Sequence, residues 1–276
     1  MQVICKFDGK LNSYYLVFMR SFVIILIAFF LGFEGSIAQN LKVMSYNIHV
    51  GQDAANKDQL KNIADFIKSS DADIVGLQEV DSVCNRSGNV DQMKFLAGHT
   101  GMHYAYARHF AFDGGSYGIG ILSKYPLREV KDHRIILTSD GKSDAATRAF
   151  LTGKIFSGKK EILFATVHMD YRDSNSRFAQ SQELVKILGS IRSPVILTGD
   201  FNAEPGTKEV LNLEKVLTDT GADTNLSYSA IKPIKKIDYI MVSKNHLKKV
   251  SKQVVFPILF SDHLPVMSRL KISAPH

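Results

Sequence analysis

From residue 40 onward the chain alternates short apolar runs with amphipathic stretches that begin at polar residues. The segment Asp73–Val80 (DIVGLQEV) is mostly apolar, which is typical of a buried strand. Within Asp58–Ser69 the apolar side chains Leu60, Ile63 and Ile67 recur at close to the helical period, which predicts an amphipathic helix. Strands interleaved with helices in this way predict an α/β fold of mixed sheets covered by helices.

The same pattern predicts the remaining elements. Further strands are predicted at Leu41–Ile48, Ser116–Lys124, Arg148–Phe156, Glu161–Met169, Pro194–Thr198, Lys236–Val242, Val250–Phe256 and Pro265–Ile272, and further helices at Val90–Thr100 and from Ser174 to Ile191. The loop Ser157–Lys160 contains Gly158 and has hairpin length, so it predicts an antiparallel pair. No Pro/Ser-rich linker, internal repeat or low-complexity segment interrupts residues 40–276, which we interpret as a single domain.

The N-terminal segment, residues 1–39, has the pattern of a signal peptide. Its apolar run Ser21–Phe33 has the length of a signal-peptide core and is short for a membrane span. Arg20 precedes the run, and a Ser-Ile-Ala sequence ending at Ala38 predicts cleavage directly after that residue. Met19 is an alternative start, because the segment that begins there would be a complete signal peptide. We therefore expect export to the periplasm or the extracellular space; an uncleaved membrane anchor is the alternative.

Composition and charge exclude some classes of protein. The two cysteines are Cys5, in the expected signal segment, and Cys84, so the mature chain is neither a disulfide framework nor a zinc finger. A net charge of +7 favours anionic partners through long-range attraction. The lysines are scattered, however, and a solvated surface accounts for them as well as a nucleic-acid site does. The glycines form no P-loop pattern.

Residues suited to metal and phosphate chemistry stand at the ends of predicted strands. Glu79 closes the run DIVGLQE, where a carboxylate is costly to bury without a cation or donor. Asp238 lies inside an apolar strand, where an unpaired charge is equally costly. Taken singly, others have ordinary explanations: Asp200 with Asn202 would form an Asx turn, and His263 would be a structural histidine. Together their carboxylate and amide oxygens suit Mg²⁺ or Mn²⁺.

The order of the motifs resembles that of the endonuclease/exonuclease/phosphatase (DNase I-like) superfamily. The matching motifs, in the order of that superfamily, are SYNIH (45–49), QE (78–79), YGIGILSK (117–124), TR (147–148), VHMD (167–170), GDFN (199–202), IDYI (237–240) and SDH (261–263). GDFN and SDH are the most specific, and the set spans essentially the whole mature chain. The resemblance implies a four-layer α/β sandwich, in which two facing mixed β-sheets are flanked by helices and the site lies at their loop ends.

The resemblance also implies roles at the metal and at the attacking water. Glu79 resembles the principal ligand of Mg²⁺ (or Mn²⁺), Asn47 beside it resembles a residue that assists the metal or the phosphate, and Asp262 would lie at or near the metal. Asp200 resembles the residue that orients or deprotonates the attacking water, and Asn202 the one that fixes water or phosphate.

A second group of matching positions is implied to contact the phosphate. His263 resembles the phosphate-contacting imidazole, and Asp238 its carboxylate partner. His168 matches a position that contacts the scissile phosphate, and Arg148 adds a positive contact. One departure is His49, which stands where abasic-site endonucleases carry an additional acidic metal ligand. This departure weakens a DNA-repair interpretation and a two-metal scheme.

The sequence therefore predicts a divalent-metal-dependent hydrolase that cleaves a phosphodiester or phosphomonoester of a small or lipid-linked substrate. A secreted DNA or RNA nuclease is the alternative, and a non-catalytic binding module is a third hypothesis. The chain has no Trp and no evident basic-aromatic stripe, which disfavours a protein that wedges open a duplex. Arg86 is either a contact for a substrate anion or an exposed loop charge, and Lys235 and Lys236 are candidates to face a phosphate. The leaving group, the choice between monoester and diester cleavage, and the oligomeric state do not follow from the sequence.

Overall fold

The computed structural model describes residues 40–136, 147–158, 160–244 and 247–272, so the expected signal segment lies outside the described residues. Among the described residues, no helix is both long enough and apolar enough to span a membrane. The strands are β1 (Asn40–Asn47), β2 (Ile74–Ser82), β3 (His103–Phe112), β4 (Gly115–Ser123), β5 (Arg128–Ile136), β6 (Thr147–Ser157), β7 (Lys160–His168), β8 (Val195–Asp200), β9 (Leu217–Asp219), β10 (Asp238–Ser243), β11 (Leu247–Lys249), β12 (Val254–Val255) and β13 (Val266–Ile272). The helices are α1 (Leu60–Ser70), α2 (Gln92–Thr100), α3 (Ser174–Gly189) and α4 (Lys208–Leu213), and short 3-10 turns lie at His49–Gly51 and Asn85–Ser87.

The strands form two mixed sheets. The first sheet has the order β11-β13-β1-β2-β4-β3, with β12 also paired to β13, and the second has the order β5-β6-β7-β8-β10-β9. The pairs β1–β2 and β7–β8 are parallel, and they lie near the middle of the first and second sheet respectively. The predicted hairpin is confirmed as the antiparallel pair β6–β7.

Three apolar clusters define the layers. The first fills the space between the sheets and includes Val43 from the first sheet and Phe164 from the second. Helices α1 and α2 cover the outer face of the first sheet, where Ile63 is buried. Helices α3 and α4 cover the outer face of the second sheet through Leu184 and Leu213. The helix–sheet–sheet–helix order confirms the expected four-layer sandwich.

Several local predictions are wrong in detail. Of the expected strand Val250–Phe256, the structure forms the two-residue strand β12, and the short strand β11 precedes it. Helix α3 ends at Gly189 instead of Ile191, and its cap is Asp173, whose carboxylate accepts hydrogen bonds from two backbone N–H groups of the first turn. Strands β3, β5 and β9 and helix α4 were not predicted. β3, β5 and β9 lie at sheet edges, where polar side chains interrupt the apolar pattern.

The two sheets approach each other closely beneath one end of the sandwich. A Cβ atom at Gly76 would lie 2.0 Å from Oγ1 of Thr198 and 2.8 Å from Oγ1 of Thr166, so only glycine fits there. Two residues further along β2, Gln78 Nε2 donates a hydrogen bond of 2.9 Å to Thr166 Oγ1. The strand ends beyond this contact are therefore held close together across the two sheets.

Candidate active site

Strand register aligns the predicted site residues at one end of the sandwich. In the second sheet His168, Asp200 and Asp238 lie side by side on β7, β8 and β10. In the first sheet Asn47 lies beside Gln78 on the parallel strands β1 and β2. Residues in register on adjacent strands present their side chains on the same face, so each sheet contributes one polar row to this end.

Glu79 reaches the site because β2 contains a bulge. Leu77 and Val80 both belong to the cluster under the helices, although they are three residues apart and simple alternation requires an even spacing. The register of β2 against β4 shifts between these two residues, so one extra residue is accommodated. Glu79 takes up the irregularity with a φ of 55°, a strained conformation for a non-glycine residue. Its half-buried carboxylate consequently lines the cleft instead of the helix-packed face.

Asn47 lies at the centre of the polar cluster. Its Nδ2 donates hydrogen bonds of 3.0 Å to Glu79 Oε1 and of 3.0 Å to Asp200 Oδ2, and lies 3.4 Å from His263 Nε2. Its Oδ1 accepts a hydrogen bond from the backbone N–H of His49. One buried amide therefore joins the polar row of the first sheet to that of the second.

The Ser261–His263 segment is hydrogen-bonded to the end of β1. Ser261 Oγ donates a hydrogen bond of 2.7 Å to the backbone oxygen of Asn47, and the same hydroxyl accepts one from the His263 N–H. Asp262 remains half-buried at the cleft, with its Oδ1 3.9 Å from Nδ1 of His49. The residue that departs from the abasic-site endonuclease pattern thus lies beside a carboxylate of the site.

His263 and Asp238 form a buried pair, with His263 Nδ1 2.9 Å from Asp238 Oδ2. Burial by itself lowers the pKa of an imidazole, but the negative charges of Asp238 and Asp200 outweigh burial and raise the pKa of His263 to about 10. The imidazole is therefore a cation at neutral pH, and it can donate a hydrogen bond from each ring nitrogen.

At Asp200 and His168 the surroundings disfavour the charged form of the side chain, whereas at His263 they favour it. Burial raises the pKa of the Asp200 carboxyl to about 7, and the nearby positive charge of His263 limits the rise. Burial, followed by the positive charges of Arg148 and His263, holds the pKa of His168 well below its ordinary value. His168 Nε2 lies 3.6 Å from Asp200 Oδ2, so a neutral imidazole and a carboxylate with a near-neutral pKa face each other.

Asn202 and Arg148 complete the predicted set. Asn202 has a φ of 49°, its backbone N–H donates to Asp200 Oδ1, and its Nδ2 donates to the backbone oxygen of Met169. Arg148 is buried at the wall of the cleft, and its Nε has no hydrogen-bond partner among the described residues. A buried guanidinium without a carboxylate partner is costly unless an anion binds it.

These residues surround a cleft of about 750 Å³ that is open to solvent. Seven of the predicted site residues line it: Glu79, Arg148, His168, Asp200, Asn202, Asp262 and His263. Asn47 and Asp238 lie just beneath, bonded to that set. Lys235 also lines the cleft, but Lys236 does not, because it is buried in an ion pair with Asp219. The expectation that Lys236 faces a phosphate is therefore wrong.

The donor set at Glu79 fits a hard divalent cation. Mg²⁺ typically binds one or two carboxylates and keeps several waters, and Glu79 and Asp262 both present carboxylates to the open cleft. In this conformation Asn47 turns its nitrogen toward Glu79, which suits an orienting role.

A second cluster is less suited to a metal ion. Asp200, Asp238 and His263 also lie close enough together to hold an ion. The Nδ1 atom of His263 is already bonded to Asp238, however, and the neighbouring carboxylates raise the pKa of the imidazole, which favours a proton over a metal ion on this ring.

Comparison of the sequence with protein-family models identifies the same family that the order of the motifs resembles. Residues 44–263 match the model of the Endonuclease/Exonuclease/phosphatase family. The chain belongs to this family. Among curated proteins, the uncharacterized protein YbhP of Escherichia coli K12 is 26% identical over 254 residues, covering 84% of this chain and 97% of YbhP.

Solved structures of similar proteins share the fold of this family member. A functionally unknown conserved protein from Enterococcus faecalis V583 superimposes with a TM-score of 0.70 at 21% identity, covering 84% of this chain and all of that one. A mannosyl-6-phosphatase of Bacteroides thetaiotaomicron VPI-5482 gives a TM-score of 0.68 at 23% identity, covering 83% and 99% of the two chains. These likenesses support the sandwich architecture over essentially the whole length of the neighbours.

The sequence assigned no chemical role to the aromatic residues of the cleft. Phe110, Phe112, Tyr117, Tyr171 and Tyr228 all line it. Tyr117 opens the motif YGIGILSK, so its presence near the site had a sequence signal. The phenylalanines lie on β3, an edge strand that the apolar pattern did not reveal.

Proposed function

We propose that this protein is a divalent-metal-dependent hydrolase that cleaves a phosphodiester or phosphomonoester of a small or lipid-linked substrate. Membership of the family supports a phosphoesterase or nuclease activity. The observation that carries the proposal is Asn47, whose amide joins Glu79 to Asp200 and approaches His263 within one cluster. The structural likeness to a mannosyl-6-phosphatase favours a small substrate.

The residues suit in-line attack of water on phosphorus. Asp200, with a pKa near neutrality, accepts a proton from the attacking water, and the Asn202 N–H holds that carboxylate in place. The His263 cation, oriented by Asp238, stabilises negative charge that develops on the phosphoryl oxygens. Arg148 offers a second cationic contact from the wall of the cleft.

Glu79 and Asp262 would hold the metal ion, with Asn47 orienting Glu79. A bound Mg²⁺ or Mn²⁺ supplies positive charge to the phosphoryl oxygens. The arrangement serves monoesters and diesters equally, since both develop charge on the same oxygens.

A substrate panel tests the proposal. The purified protein is assayed on DNA, RNA, inositol phosphates, phosphoinositides, sphingomyelin and sugar phosphates, with Mg²⁺ or Mn²⁺ and with chelator, and His263→Ala serves as the blank. We expect chelator-sensitive turnover of at least one small or lipid-linked phosphoester that is lost in the variant. Turnover that persists in chelator or in folded His263→Ala would overturn the assigned chemistry, and absence of metal binding would favour a non-catalytic binding module.

A secreted nuclease is the second candidate. Arg148 and Lys235 line the cleft, and their positive charges would attract a polyanion. Nucleic-acid binding through phosphates weakens steeply with salt, so cleavage of DNA or RNA that falls from 50 to 200 mM salt would favour this function.

We also propose that the chain is exported through its N-terminal segment. The supporting observation is the apolar run Ser21–Phe33 between Arg20 and the Ser-Ile-Ala sequence. N-terminal sequencing of the protein from the periplasmic or extracellular fraction should find a start directly after Ala38. A protein retained in the membrane with its N-terminus intact would identify the segment as an anchor instead.

A further inference from the structure

One side of the cleft is a wall of flat side chains, which we name the aromatic–arginine wall: Arg86, Phe110, Phe112 and Tyr117. The guanidinium carbon of Arg86 lies 4.4 Å from the centroid of the Phe112 ring and 5.4 Å from that of Tyr117. The Phe110 ring lies 5.4 Å from Tyr117 and 6.3 Å from Phe112. All four residues line the cleft.

Arg86 is held rigidly in this wall. Its Nε and Nη2 both donate hydrogen bonds of 2.8 Å to the carboxylate of Asp81, which is fully buried. Its backbone N–H donates to Asp113, which fixes the loop that carries it. Asp81 neutralises the Arg86 cation and fixes its orientation. The guanidinium therefore presents mainly a flat face to the cleft, with one edge not bonded to Asp81. The structure thus pairs Arg86 with Asp81 and places it in the lining of the cleft, so it is not an unattached loop charge.

The phenylalanines of the wall remain open to solvent. Phe110 is 44% exposed and Phe112 is 41% exposed, even though both stand inside a cleft. Exposed aromatic rings next to a fixed guanidinium provide the surface on which sugar rings and nucleobases stack. A flexible chain gains little from such a surface, because it must lose its rotational freedom to lie flat.

The wall begins directly beside the reacting groups. The hydroxyl of Tyr117 lies 3.5 Å from Nδ1 of His168, and the guanidinium carbon of Arg148 lies 5.6 Å from the centroid of the Phe110 ring. A phosphate held by His168 and Arg148 would therefore place its organic substituent against the wall.

We propose that the aromatic–arginine wall is a subsite that stacks a ring of the substrate, so that the enzyme acts on phosphoesters of ring-bearing groups. The ring is that of a sugar or a nucleobase; both present a flat or ring-shaped face and both occur attached to a phosphate. This inference rests on the proposed function for its phosphate site but adds the class of the organic group.

Binding and kinetics test the subsite separately. Titration calorimetry of the full-length protein in chelator uses hexose 6-phosphate, nucleoside 5′-monophosphate and glycerol phosphate, which has no ring. We expect at least one ring-bearing ligand to bind about fivefold or more tightly than glycerol phosphate, the usual scale for ring stacking. Phe112→Leu should remove that preference while leaving glycerol phosphate binding unchanged. The hexose and nucleoside ligands then distinguish a sugar from a base.

Tyr104→Leu is the matched control, because Tyr104 is 45% exposed on the same strand but does not line the cleft. It should keep the full preference. In turnover assays with metal, Phe112→Leu should raise KM for ring-bearing substrates about fivefold or more and leave kcat within twofold. Equal affinity for all three ligands in the unmodified protein, or a preference that survives Phe112→Leu, would overturn the subsite. Metal-independent turnover would overturn the proposed function without bearing on this binding result.

Discussion

His263 Nδ1 and Asp238 Oδ2 lie 2.9 Å apart, and both side chains are buried at the base of the cleft. The two residues are 25 positions apart in the chain, and Asp238 stands at the first position of β10, opposite Asp200. The pairing makes His263 a cation and fixes the direction of its other ring nitrogen, which points toward the Asp200 carboxylate at 3.6 Å.

Asp238→Asn should lower turnover by at least about tenfold, the low end of the effect of an acid–base group. Asparagine preserves the shape of the side chain but removes the charge that keeps His263 protonated. Steady-state kinetics with the metal-loaded protein measure kcat, and circular dichroism verifies the fold. Asp132→Asn is the control, because Asp132 is a partly exposed carboxylate paired to Arg134 outside the cleft lining. Near-normal kcat in folded Asp238→Asn would rule out the role of the pair.

Glu79→Gln should abolish the response to the metal ion. An amide in place of the carboxylate removes the principal charge that the site offers to Mg²⁺. In the unmodified protein, Mg²⁺ or Mn²⁺ should raise the Tm, because a ligand that binds only the native state stabilises it. We expect this shift to disappear in Glu79→Gln and turnover to fall more than tenfold. Glu129→Gln, at an exposed glutamate, should behave as the unmodified protein; an unchanged Tm shift in Glu79→Gln would place the metal elsewhere.

Arg86→Ala should destabilise the fold by about 1–3 kcal/mol, because it leaves the buried Asp81 carboxylate without the partner that lies at the cleft surface. Urea unfolding at pH 7 gives the free energy of unfolding. Lys61→Ala is the contrast, since Lys61 forms an exposed pair with Asp65 one helical turn away and should cost no more than about 0.5 kcal/mol. Similar costs for the two variants would mean that the Arg86–Asp81 pair is energetically an ordinary surface contact.

Gly76→Ala should cost about 1–3 kcal/mol through overpacking between the sheets. Its new methyl group would collide with the hydroxyls of Thr198 and Thr166. Gly98→Ala provides the opposite case, because Gly98 lies in helix α2 and a Cβ there meets no other atom within 4 Å. Alanine should stabilise that helix by about 0.5–1 kcal/mol. Urea unfolding gives the free energy of unfolding of both variants. An unchanged value for Gly76→Ala would show that the sheets can separate easily.

The acid sensitivity of the fold should depend in part on His109. Burial, followed by the positive charge of Arg148, holds the pKa of His109 well below its ordinary value. The native state therefore resists protonation at a pH where the unfolded chain takes up a proton, so stability is lost as the pH falls below about 6.5. His109→Gln removes this contribution and should flatten the fall in unfolding free energy between pH 7.5 and 5.5. Identical slopes for the two proteins would contradict the lowered pKa.

The sequence by itself predicted an α/β fold of mixed sheets, and the order of its motifs selected nine candidate site residues through their resemblance to a known family. Strands β2 and β8 each begin with a buried apolar run, and each run is followed by a carboxylate that is costly to bury, Glu79 in β2 and Asp200 at the end of β8. These patterns can be recognised without the tertiary structure, because an apolar run followed by a charged residue is visible within one short segment of sequence. The edge strands β3 and β5 lack them, since one side of each meets solvent.

Only the tertiary structure decided how these residues meet. The bulge at Glu79, the amide of Asn47 between two carboxylates and the pairing of His263 with Asp238 join residues separated by up to 216 positions. The aromatic–arginine wall likewise combines residues from a loop, the edge strand β3 and β4, and their spacing along the chain does not predict that they meet. Contacts of this kind depend on the register and the separation of the two sheets, which are set by packing across the whole core and not by any one segment.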